Sequence, residues 1–306
     1  MKNKVLIGGL IALAILVLIV IFCFWVGKKG LDNLRDTANT AETTRSNPQS
    51  PTAPTLPSIP ASPAEAERVF LALGNPSNAG TADPNNFLLV NNYFAISYNR
   101  GRGAPNWVAW RISRGELGDF PRPEPDPFRP DARLPKSWKP VVPSDYSGSG
   151  YDRGHLAPSA DRSASIEGMS ETFLMSNMVP QTGDLNRGPW AKLEGYLRTL
   201  VTRGSDVYII AGAYGEKGLL KNKVSVPTNT WKVAVAVPAG TAPSAINESA
   251  RVIAVDMPNV KGILRADWQV YRTTARDIEQ KTGYNLFSNL PANVQNALET
   301  KTDNQL

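Results

Sequence analysis

Three observations predict an α+β fold for this 306-residue chain. Short runs rich in β-branched and aromatic residues are interspersed only irregularly with segments of helical periodicity, which argues against a regular βαβ arrangement. From residue 63 onward the chain reads as one body of roughly 240 residues, acceptable for a single domain. That body contains no internal repeat, and the two stretches preceding it are unsuited to its core.

The first of these is an unbroken apolar run from Val5 to Val26, flanked by Lys2, Lys4, Lys28 and Lys29. Its length suits a helix crossing a bilayer. A cleaved signal peptide would have a shorter apolar region, with small residues where Phe22, Phe24 and Trp25 stand. Residues 1–29 are therefore read as a single-pass membrane anchor, secretion after cleavage being the alternative. Lysines at both ends leave the orientation to the free amino end, which directs the body out of the cytoplasm, to a periplasmic or extracellular site. The second stretch, residues 30–62, carries Pro48, Pro51, Pro54, Pro57 and Pro60 among Ser, Thr and Ala. Without hydrophobic periodicity it should act as a stiff, extended spacer.

Residues 63–306 form the predicted domain. Ser62 as N-cap, Pro63 at the first helical position and Glu65 completing a capping box begin a helix whose apolar face is Val69, Phe70 and Leu73, with Gly74 as its stop. Phe87–Val90 and Tyr93–Tyr98 flank Asn91-Asn92, a hairpin signal. Trp107–Ile112, Val207–Ala211, Trp231–Val237 and Arg251–Val255 read as further strands, and Pro121–Pro130 as a surface loop. Trp190, Leu193, Leu197, Leu200 and Val201 recur at helical spacing, so Pro189–Thr202 is a predicted amphipathic helix ending at Gly204. Arg276–Thr282 and Asn293–Thr300 are predicted closing helices.

The chemistry centres on His155, the only histidine. Histidine is the side chain whose ordinary pKa, about 6.5, lets it exchange a proton near neutrality. With one His and one Cys, the chain cannot build a zinc site of the usual ligands. Cys23 lies in the apolar run, so the body can form no disulfide within itself. The formal charge is +6, of which Lys2, Lys4, Lys28, Lys29 and Arg35, less Asp32 and Asp36, account for +3. Binding to phosphate must then come from local clustering rather than bulk charge.

Around His155 the chain reads Gly148-Ser149-Gly150-Tyr151-Asp152-Arg153-Gly154-His155, followed by Asp161-Arg162, by Ser176-Asn177-Met178-Val179-Pro180-Gln181, by Asn186-Arg187, and by Glu194 and Arg198. This series resembles the sugar-non-specific DNA/RNA endonuclease family, which includes secreted bacterial nucleases and mitochondrial endonuclease G. The resemblance runs from about Leu73 to Ser288. It implies a ββα-metal finger on a mixed or antiparallel sheet flanked by helices. It further implies that His155 is the general base activating water, that Asn186 is the sole direct protein ligand of one Mg²⁺ ion, for which Mn²⁺ can substitute, and that Glu194 orients the ion's water shell. Arg153 and Arg198 would face the phosphate and Asp152 support the site. A further family arginine precedes Phe128-Arg129-Pro130-Asp131, and its match is Arg122, in a lengthened proline-rich loop. The implied partners are DNA and RNA, single- or double-stranded; the apolar run adds the membrane as a partner, and a protein inhibitor is one way in which so unspecific an activity could be contained.

These roles are chemically coherent. Mg²⁺ commonly keeps several waters beside one or two protein oxygens, a neutral imidazole supplies the base, and Arg forks pair with phosphate oxygens. Glu194 and Arg198, four residues apart on the predicted helix, share one face. Activity should fall as pH drops through the histidine pKa.

Each residue also has a plainer reading. Asn186 could be the N-cap of the following helix, Glu194 and Arg198 an exposed ion pair, Asp161 and Arg162 structural, and Trp107, Trp110, Trp190 and Trp231 core. Two other functions compete: a serine hydrolase pairing His155 with Ser149 or Ser147, which lacks the Gly-x-Ser-x-Gly elbow, and a catalytically silent protein that holds incoming DNA at the cell surface.

Overall fold

The computed structural model describes residue 60 and residues 62–124 and 127–305. The predicted anchor, Cys23 and nearly all of the spacer lie outside them. Among the described residues no helix is long and apolar enough to cross a membrane.

The body is built on a seven-stranded, wholly antiparallel sheet. Helix α1 (Pro63–Phe70) comes first, with Ser62 Oγ accepting from the Glu65 amide at 3.2 Å and Pro63 in its first turn. It buries Ala66, Val69 and Phe70 against β1, β2 and β3 and ends before Leu73, which is buried beyond it. Strands β1 (Phe87–Val90) and β2 (Ala95–Asn99) form the expected hairpin, with β2 starting two residues after the predicted Tyr93. Asn91 Oδ1 accepts from the amides of Tyr93 and Phe94 at 2.9 and 2.8 Å, and that local turn withdraws both residues from the ladder.

Strand β3 (Ala104–Ile112) is buried along its whole length. Next in the chain come β4 (Asp152–His155), helix α2 (Ile166–Glu171) and β5 (Met178–Gln181), with β4 and β5 pairing as a separate ribbon. A helical turn (Gly183–Leu185) and a π-type turn (Asn186–Trp190) lead into helix α3 (Ala191–Thr202). The helix predicted from Pro189 runs as a regular α-helix from Ala191, with Trp190 before it already helical (φ −63, ψ −53), and Gly188, just ahead of the predicted start, leaves helical geometry (φ −98, ψ −116). A Cβ there would lie 2.7 Å from the Leu264 carbonyl oxygen, so Gly188 permits the close approach.

The central strands β6 (Ser205–Tyr214) and β9 (Asn229–Pro238) sit between β3 and β10 (Arg251–Pro258), with β11 (Arg272–Thr273) at the edge. The intervening β7 (Leu219–Leu220) and β8 (Val224–Ser225) form a small ribbon. Consecutive burial along β3, β6 and β9 means that both sheet faces are covered. Helix α3 packs on β6, while α4 (Ala275–Thr282) and α5 (Ala292–Glu299) pack together, α5 also on β10. The four tryptophans expected in the core are all buried.

Candidate active site

The ribbon β4–β5 followed by the turns and α3 is the ββα unit. Its register pairs Asp152 with Gln181 and His155 with Met178. Gly154 lies against the buried Gln181 side chain, where a Cβ would fall 2.1 Å from Oε1. Just before β5, buried Asn177 donates to the carbonyls of Ala157 at 2.8 Å and Thr172 at 2.9 Å and accepts from the Ala157 amide at 3.0 Å. Beside it, Ser176 Oγ donates to Asp131 at 2.5 Å. The Ser-Asn-x-x-Pro-Gln stretch is thus a set of struts behind the ribbon.

Asp152 lies at one end of β4, its carboxylate accepting from Asn186 Nδ2 at 3.0 Å and from Arg187 Nε and Nη2 at 3.0 and 2.7 Å. Only an amide N–H can face a carboxylate in this way, so Asn186 Oδ1 is the atom turned elsewhere. Asn186 is not an N-cap: its backbone is helical (φ −59, ψ −46), and Thr182 caps the turn before it. Among the described residues no three His, Cys, Asp or Glu side chains gather to hold a metal ion. One neutral amide oxygen fits a hard, hydrated cation that keeps most of its waters.

His155 lies at the other end of β4. Its carbonyl accepts from Trp190 Nε1 at 3.2 Å, and its ring meets Phe173 edge-on at 5.0 Å and Phe128 at 5.4 Å. The Arg153 guanidinium lies 4.0 Å from the centre of the Phe128 ring, and that of Arg122 lies 4.7 Å from Phe173 and 5.7 Å from Phe128. One aromatic wall thus gathers His155, Arg122 and Arg153. His155 Nε2 is buried and has no hydrogen-bond partner among the described residues. Burial first, then the charges of Arg122 and Arg153, pull the imidazole pKa down to about 3. The imidazole is therefore neutral over a wider range than an ordinary histidine, which moves downward the acid limb expected of a histidine base.

Glu194 and Arg198 stand on α3 as predicted, but they are not partners. Glu194 Oε1 accepts from Lys232 Nζ on β9 at 3.1 Å, and Arg198 Nη1 binds Asp161 Oδ1 at 2.8 Å. Burial pushes the Glu194 carboxyl up against the pull of Lys232. Asp161 also accepts from Trp110 Nε1 at 3.0 Å. Arg162 is buried, donating to the carbonyls of Arg111 at 3.0 Å and Tyr93, with Glu116 3.4 Å away. Both Asp161 and Arg162 are therefore structural.

Ser149 is engaged with the backbone of Tyr151, accepting from its amide at 3.1 Å, and forms no couple with His155. The reading from sequence missed three residues. Arg187 clamps Asp152, Lys232 meets Glu194, and buried Asn259 ties Thr182 (2.8 Å) to the carbonyls of Pro180 (2.9 Å) and Pro227 (3.0 Å). A lysine within an otherwise apolar strand was a legible signal, whereas a lone Asn after Pro258 carries none.

The family model for DNA/RNA non-specific endonuclease matches residues 74–293. A nuclease of Nostoc sp. is 48% identical over 240 residues, covering 77% of this chain and 86% of that protein. The mitochondrial nuclease EXOG of Mus musculus is 32% identical over 212 residues, 64% of this chain; the match spans only 55% of that protein. A chain in the crystal structure of the EndoG/EndoGI complex, which concerns the mechanism of EndoG inhibition, shares the fold with a TM-score of 0.63 and 24% identity, over 74% of this chain and 92% of that one. The ribbon–turn–helix unit, the residues gathered on it and a family match running through nearly the whole described body lead to one conclusion: the chain belongs to the DNA/RNA non-specific endonuclease family.

Proposed function

We propose that this nuclease hydrolyses phosphodiester bonds in DNA and RNA with little sequence preference, with His155 as general base and Asn186 as the protein ligand of a single Mg²⁺ ion, for which Mn²⁺ can stand in. The observation that carries the reading is the buried Nε2 of His155, without a hydrogen-bond partner among the described residues, on the aromatic wall that also gathers Arg122 and Arg153. In that role Nε2 takes a proton from water as the water oxygen attacks phosphorus and the opposite P–O bond breaks. Arg122 and Arg153 pair with phosphate oxygens, a contact that carries no sequence information. Asp152 holds the Asn186 amide by its Nδ2, so that Oδ1 would take the ion, and Glu194 would accept hydrogen bonds from the ion's waters. When bound, the ion supplies charge stabilisation at the scissile phosphate and leaving oxygen.

Purified full-length protein should digest both plasmid DNA and RNA, with digestion lost on chelation and restored by Mg²⁺. Binding without cleavage would favour the silent DNA-holding alternative. The apolar run Val5–Val26 supports a tethered, extracytoplasmic nuclease domain, which protease treatment of intact cells tests through loss of the domain. The inhibition described for the EndoG/EndoGI complex supports a protein inhibitor as a further partner.

A further inference from the structure

Lys232 lies in the middle of β9 with its side chain only 1% exposed. A buried ammonium is costly unless paired, and an apolar residue of similar volume often serves folding as well. Its surroundings give it a more specific use. Nζ donates to Glu194 Oε1 at 3.1 Å and lies 4.3 Å from the centre of the Trp190 ring and 5.2 Å from that of Trp110. The Trp190 N–H holds the His155 carbonyl, and the Trp110 N–H holds Asp161, the partner of Arg198. One cation therefore touches Glu194 directly, His155 through one indole, and Arg198 through the other indole and Asp161.

We propose that Lys232 is a positioning residue for the nuclease reaction: its ammonium keeps Glu194 ionised and aimed, and through Trp190 and Trp110 it locks α3 to the strand that carries the base. The proposal rests on the role given above to Glu194. Four charges meet here, Lys232 and Arg198 against Glu194 and Asp161, so removing the lysine leaves an excess of negative charge on Glu194's side. Burial acts against the charge on both members of the pair, raising Glu194 and lowering Lys232, so each depends on the other.

The test combines two kinds of measurement on the full-length protein. In the wild type, ¹⁵N NMR of the Lys232 amino group should show an ammonium at the pH of cleavage; a neutral amine there overturns the proposal, and this arm needs no variant to fold. In K232M, kcat on plasmid DNA should fall about 10- to 100-fold, the effect usual for groups behind a metal site, with KM little changed and partial recovery in K232R. Placed on E194Q, the same substitution should cost several-fold less than in the wild type, since its direct contact with Glu194 is already removed and only the contacts with the two indoles remain to be lost. Equal losses in both backgrounds, or a wild-type kcat in folded K232M, overturn it. In metal-free protein the Glu194 carboxyl, followed by ¹³C NMR, should titrate at higher pH in K232M; an unchanged titration contradicts the proposal. Wild-type protein that fails to cleave would instead refute the nuclease reading and leave the NMR arms standing on their own.

Discussion

Asn186 Nδ2 donates to Asp152 Oδ2 at 3.0 Å, and this one bond decides which atom of the asparagine is available to an ion. Asp152 is therefore an orienting group. In Asp152→Ala the amide is free to rotate, and activity should fall about 10- to 100-fold with a raised Mg²⁺ requirement. Arg187→Ala removes an exposed clamp, its side chain 71% exposed, while leaving the Asn186 bond in place, and should cost less than about fivefold. Metal titrations of plasmid cleavage compare the two; equal losses would contradict the orienting role.

His155→Ala should lower kcat by at least about 10²-fold, as expected for loss of a general base. Binding of DNA by the chelated protein should persist, because the guanidiniums of Arg122 and Arg153 remain against Phe128 and Phe173. Rate and binding assays on the same preparation check this, and near-normal cleavage would take the imidazole out of the mechanism.

The pH dependence should be that of a depressed histidine. A neutral base is lost only as pH falls through the folded-state pKa, about 3, so the kcat/KM profile should show no histidine limb at 6.5. Arg122→Ala and Arg153→Ala should each move the limb upward, since both charges oppose protonation. The same shift acts on stability: the unfolded chain binds the proton first, so the contribution is complete above pH 6.5 and declines as pH falls towards 3. Denaturant melts of wild type and His155→Ala measure it, the variant losing that part of the slope.

Two glycines should respond in opposite senses. Gly154→Ala puts a Cβ 2.1 Å from Gln181 Oε1 inside the ribbon and should destabilise by about 1–3 kcal/mol. Gly195→Ala, on α3, meets only Arg198 Nη2 at 4.0 Å and should stabilise by about 0.5–1 kcal/mol through helix propensity. Urea melts at neutral pH distinguish them, and a neutral Gly154→Ala would contradict the close packing.

Local signals were enough for much of this protein. The Ser62-Pro63 helix start, the hairpin, the strand runs, the periodicity of α3 and the motif around His155 all show in residue type and spacing, even where, as for β3 with β6 and β4 with β5, the pairing strand lies far along the chain. The start of β2 moved for a side-chain reason: Asn91 captured the amides of Tyr93 and Phe94. What only the folded chain decided is who faces whom. Glu194 and Arg198 share a helical face, yet the sheet beneath offers Lys232 to one and Trp110-held Asp161 to the other. Likewise, the lowered pKa of His155 comes from burial and from Arg122, 33 positions earlier in the chain. Burial and charge act through space, and spacing along the chain does not encode them.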